Sequence, residues 1–75
     1  MTMSYYNFTM KDWTSEEIEE LRRKYKLTRR ALGELLGGLT VSTIYNWERG
    51  LRNPSKATKV LLSRIEQDLL KKERR

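Results

Sequence analysis

The sequence predicts a small all-α domain of four to five helices, and three observations predict it. Apolar residues recur three and four positions apart beyond residue 13, and no two segments make a credible strand pair. Thr14, Thr28 and Thr40 each stand just ahead of such a segment, where a hydroxyl accepts from the amides a helix start leaves unpaired. Glycines close two of the segments, at Gly37-Gly38 and at Gly50, where a chain leaving a helix enters the left-handed region.

Each element follows from its own residues. Thr14 and Glu17 have the spacing of a capping box, and Trp13 and Ile18 bracket it as a hydrophobic staple. Ile18, Leu21 and Tyr25 then mark the buried side of a first helix ending near Lys24 or Tyr25. Thr28 caps a second helix, with Leu27 and Leu32 as its staple and Leu32, Leu35 and Leu36 as its buried stripe. The stretch Leu39 to Gly50 is rich in strand-favouring residue types, yet its period is helical. Val41, Ile44 and Trp47 lie three apart, so Ile44 and Trp47 face inward while Ser42, Tyr45, Asn46 and Arg49 face out. Pro54 suits the first turn of a last helix, with Asn53 or Ser55 as cap, and Ala57, Val60, Leu61, Ile65, Leu69 and Leu70 carry that helix to about Lys72. Residues 1–13 read as a flexible arm, 14–64 as the folded domain and 65–75 as a helical extension. Tyr5, Tyr6 and Phe8 fit either a disordered arm or a flap docked on the core.

Composition removes whole classes of function. A chain of 75 residues makes one domain with a modest core. It has no cysteine for a disulfide or a thiolate metal site, and no histidine for a general base. Ser42 has no base to activate it, and no paired carboxylates sit beside a glycine-rich loop. No enzyme, cofactor or metal is expected. No apolar run is long enough to span a bilayer and no secretory pattern opens the chain, so a cytoplasmic protein without membrane contact is expected.

Charge points the other way, toward a partner. The net charge is +6, but residues 1–20 set Lys11 against Asp12, Glu16, Glu17, Glu19 and Glu20. Residues 21–64 hold eleven lysines and arginines against only Glu34 and Glu48. A middle segment so basic repels itself unless it meets a polyanion, although a solvated surface would also carry such charge. The acidic run reads as a solvated face that complements the start of the first helix.

Several short stretches carry a family resemblance. Leu21-Arg22, Leu27-Thr28, Leu35-Leu36-Gly37, the run Thr43-Ile44-Tyr45-Asn46-Trp47-Glu48-Arg49-Gly50, and Asn53-Pro54-Ser55 resemble the phage-repressor helix-turn-helix family, that of λ repressor and Cro, also called XRE. The likeness covers roughly residues 15–63, and Ile-x-x-Trp-Glu-x-Gly followed by Pro-Ser is its most specific part. Two departures stand out. Gly33 stands in place of the family's usual alanine, which preserves close approach of the two helices but loses about 1 kcal/mol of helix propensity. The turn Leu36-Gly37-Gly38-Leu39-Thr40 is one residue longer than the usual Leu-Gly-Val-Ser, which bears on the tilt of the third helix.

The resemblance implies a λ-repressor-like domain that reads double-stranded DNA by laying the helix 41–49 in the major groove. It implies base contacts from Val41, Ser42, Tyr45 and Asn46, of which Asn46 suits adenine and Val41 a thymine methyl group. Arg29 matches a backbone-contact position, and Thr28, Thr40, Arg49 and Arg52 resemble others, with Arg30 beside them. Blander roles stand against these: Val41 closing the core edge, Ser42 and Asn46 solvated, Arg29 a surface charge. Arg22 and Glu48 match an ion pair that ties the first helix to the third, against two exposed charges worth almost nothing.

The expected function is a sequence-specific transcriptional regulator of the repressor type, acting as a homodimer on an inverted repeat. The alternative is a protein-interaction adaptor or antitoxin-type module that uses the same fold on a protein partner. For the dimer, Leu62, Ile65, Leu69 and Leu70 offer a short seam once Val60 and Leu61 finish the core. Otherwise this end packs back on Ile18 and the aromatic arm.

Overall fold

The structure, a computed structural model, describes residues 11–73. Tyr5, Tyr6 and Phe8 lie outside the described residues. Four helices follow one another: α1 (Ser15–Lys24), α2 (Arg29–Leu35), α3 (Val41–Glu48) and α4 (Lys56–Glu73). No strand occurs among the described residues.

The helix starts form as their side chains dictate. Thr14 Oγ1 accepts from the Glu17 amide at 3.3 Å, and the Thr14 amide donates to Glu17 Oε1 at 2.9 Å, a complete capping box. Thr28 accepts from the Ala31 amide at 3.0 Å and Thr40 from the Thr43 amide at 3.3 Å. Ser55 does the same for α4, accepting from the Thr58 amide at 3.2 Å. Pro54 therefore lies before the cap rather than in the first turn, and its ring is buried.

The first three helices end alike, with paired amide-to-carbonyl bonds reaching back over the last turn. Leu27 donates to the Arg22 carbonyl at 2.8 Å, Gly38 to Gly33 at 3.0 Å and Leu51 to Asn46 at 2.9 Å. Such an ending needs one left-handed residue. At the end of α1 that residue is Lys26, with φ 55°, a conformation that crowds its Cβ. The turn after α2 uses two, Gly37 at φ 92° and Gly38 at φ 96°, which is why both are glycine.

The core gathers Trp13, Ile18, Leu21, Leu32, Leu36, Ile44, Trp47 and Leu62, each at most 5 % exposed. Trp13 belongs to this core rather than to an arm. Its backbone takes φ 53°, and the indole is held in place by burial and by a 2.9 Å bond from Nε1 to Ser63 Oγ. The staple with Ile18 has recruited α4 as well. Lys11 pairs with Glu66, so the chain ahead of α1 is fastened to α4 at a second point.

Three expectations about burial change. Leu35 is half exposed, because α2 is only two turns long and Leu32, Gly33 and Leu36 fill its inner side. Val60 and Leu61 are about two-fifths exposed, while Leu62 is fully buried and Ile65 and Leu69 pack against the core. A shift of one residue turns a helix face by about 100°. The residues expected at a dimer seam are thus largely spent within the chain: Leu62 has no surface to offer, and Ile65, Leu69 and Leu70 are half-buried. No described helix is long and apolar enough to cross a membrane.

Candidate nucleic-acid interface

α3 is a two-turn helix with no strong propensity of its own, so packing has to hold it. Ile44 at 0 % and Trp47 at 5 % exposure anchor it against α1 and α2. The opposite side is free. Val41 is 47 % exposed and Tyr45 40 %, and Ser42 is exposed between them. Asn46 is half-buried and borders a groove it shares with Thr43, Arg52, Asn53 and Thr58. Three of the four proposed base-contact residues therefore form an open tip, while the fourth is set to one side, toward the start of α4.

The turn before α3 packs closely on α2. The Leu39 amide donates to the Gly33 carbonyl at 3.0 Å, folding the turn back over α2. A Cβ on Gly33 would overlap the Leu39 carbonyl oxygen and stand 3.1 Å from its carbon. The Leu39 carbonyl thus fills the space that a methyl group at position 33 would need.

Beneath the tip lies the ion pair. Arg22 Nε donates to Glu48 Oε2 at 2.7 Å and Nη2 to Oε1 at 3.1 Å, a fork that joins α1 to the end of α3. Arg22 also donates from Nη1 to the Leu27 carbonyl at 3.2 Å. The Glu48 side chain is 4 % exposed and that of Arg22 16 %. Burial pushes the Glu48 carboxyl up, but the bonds and charges of Arg22 and then Arg29 outweigh it, leaving the group below the ordinary glutamate value. The bond to Glu48 holds the Arg22 guanidinium above its ordinary value despite partial burial.

Arg29 joins this pair. From the first residue of α2 its Nε donates to Glu48 Oε1 at 3.0 Å, and its guanidinium sits 5.3 Å from the centroid of the Tyr45 ring. Arg49 lies 5.5 Å from the same centroid and donates from Nη1 to the Tyr45 hydroxyl at 2.7 Å. Glu48 alone cannot neutralise Arg22, Arg29 and Arg49, so the cluster keeps a positive surplus beside the tip. Arg30 and Arg52 are exposed, Arg30 in a loose 3.5 Å pair with Glu34. The hydroxyl oxygens of Thr28 and Thr40 cap helices.

Sequence reasoning missed the Arg29–Glu48 bond and the stacking on Tyr45. The Tyr45–Arg49 contact had a signal, since the two are four apart on a helix. Arg29 and Glu48 are joined only by the crossing of α2 and α3, which no local spacing encodes.

Two helices joined by a tight turn, the second exposing a polar tip ringed by cations, form the geometry of a major-groove reader. The helix-turn-helix family model HTH_3 matches residues 18–65, which takes in all of the tip, the ion pair and the turn. No curated protein and no solved structure matches the chain. The chain belongs to the XRE, or λ repressor-like, helix-turn-helix family and is a DNA-binding transcription regulator of that type.

Proposed function

We propose that the chain is a sequence-specific repressor that binds an inverted repeat as a homodimer, with α3 in the major groove. The observation that carries this is the open tip of Val41, Ser42 and Tyr45, uncharged itself and flanked at Tyr45 by Arg29 and Arg49. Uncharged side chains at a helix start read base edges, while the surrounding cations take phosphates and set register. Val41 packs on a thymine methyl group, Ser42 and Tyr45 reach polar base edges, and Asn46 reaches an adenine from the groove side. Arg29, Arg30, Arg49 and Arg52, with the hydroxyls of Thr28 and Thr40, hold the backbone.

A single such tip covers only a few base pairs, so two copies on half-sites about one helical turn apart supply useful specificity. Ala57, Val60, Leu61 and Arg64 share an exposed side of α4, and this side replaces the buried seam as the dimer contact. Bound at a promoter, the dimer represses by occupancy. Selection from a random duplex library with purified protein tests the reading. An enriched inverted repeat is expected; no enrichment over the starting library rejects it.

A further inference from the structure

We propose that Glu48 and the Tyr45 ring position the Arg29 guanidinium so that its outer edge takes two oxygens of one DNA phosphate. This rests on the DNA-binding reading above and gives Glu48 a part in binding, beyond tying α1 to α3.

The hydrogen bonds make the case. Arg22 alone already supplies a donor to each oxygen of Glu48. Oε1 nevertheless accepts a second bond, from Arg29 Nε at 3.0 Å. Nε donates from the side edge it shares with Nη2, so the bond leaves the outer edge, formed by Nη1 and Nη2, clear of the carboxylate. Neither terminal nitrogen of Arg29 has a hydrogen-bond partner among the described residues, and the side chain is 36 % exposed. The Tyr45 ring at 5.3 Å restrains rotation of the guanidinium plane, and Arg49 fixes that ring through its hydroxyl. A planar fork held on one edge and one face presents its remaining edge in a fixed direction, which suits a phosphate. The entropy of stilling a long side chain is then spent on folding rather than on binding.

Glu48→Gln tests this, because the two accounts of Glu48 differ in whether its effect depends on Arg29. If Glu48 only links helices, its neutralisation changes binding by the same factor whether or not Arg29 is in place. If it positions Arg29, binding to the selected site weakens by about three- to tenfold, the net worth of one ordinary hydrogen bond. The loss then vanishes when Arg29→Ala is already present. Folding of each variant is checked by circular dichroism. Tighter or equal binding by Glu48→Gln, or an equal loss in both backgrounds, overturns the proposal. Should Glu48→Gln fail to fold, Arg29→Lys decides: it keeps the charge but lacks the fork, so about tenfold weaker binding is expected and unchanged affinity overturns it. Wild-type protein that binds no duplex at all is a separate result, and rejects the DNA-binding reading itself.

Discussion

The carbonyl of Leu39 lies against the α-carbon of Gly33, in the space any side chain there would need. Helix propensity alone makes Gly33→Ala favourable by about 1 kcal/mol, yet the overlap is with backbone, which cannot rotate away. The variant is expected to lose about 1–3 kcal/mol in urea denaturation. Deleting Gly38 in the same chain restores the shorter turn and relieves most of that loss. Additive effects of the two changes would show that turn length and Gly33 are unrelated.

Lys26 closes α1 in the left-handed region, at φ 55°. Lys26→Gly removes the clash of its Cβ and is expected to stabilise the domain by about 0.5–1.5 kcal/mol. A thermal melt measures it. An unchanged or lower melting temperature means the unfolded chain gains as much from the glycine as the folded one.

Removing Arg22 leaves Glu48 with only Arg29, and replacing Arg22 by Met is expected to cost about 2–4 kcal/mol, less than for a fully dry pair because Arg22 keeps some solvent contact. The pH dependence has a definite sign. The Glu48 carboxyl is held below its ordinary value in the folded state, so its contribution is complete above that ordinary value, near 4.5. It is lost as pH falls through the lower, folded value. Wild type should therefore destabilise more steeply than Glu48→Gln below about pH 4.5, and parallel curves would assign acid lability to other carboxylates.

Base and phosphate contacts separate on salt. Asn46→Ala is expected to cost about 1–3 kcal/mol on the selected site and to flatten preference at one base pair. Arg52→Ala is expected to weaken all duplexes alike and to make the salt slope shallower by about 0.9 per protomer. Unaltered site preference in Asn46→Ala would confine base reading to the Val41, Ser42 and Tyr45 tip.

The two sides of α4 separate assembly from folding. Leu61→Glu lies on the exposed side, so the domain is expected to fold while cooperative binding to the full repeat falls at least about tenfold, as one desolvated charge at an interface costs. Truncation after Arg64 removes Ile65 and Leu69, which pack on the core, and is expected to lower stability as well as binding. Full cooperativity in Leu61→Glu would place the dimer contact elsewhere.

The sequence by itself determined the helices and the family. Caps act within three residues and glycine endings within six, so Thr14, Thr28, Thr40 and Gly37-Gly38 could be read locally, as could the inward faces at Ile18, Leu32, Ile44 and Trp47. The pairing of Arg22 with Glu48 came from the family resemblance, not from spacing. Tertiary structure decided what depended on which elements cross. The α4 pattern offered Val60 and Leu61 as readily as Leu62, because a helix with apolar residues at 60, 61, 62, 65, 69 and 70 has more than one plausible inner face. Trp13 and Ser63 settled which one turned inward. Gly33 could be read as allowing a close approach, but not that the Leu39 carbonyl makes it; Arg29 could be read as a DNA-backbone contact, but not that the crossing of α2 and α3 bonds it to Glu48. Local hydrogen bonds are written in short spacings, whereas close approaches between helices depend on the rotation and tilt that packing alone imposes.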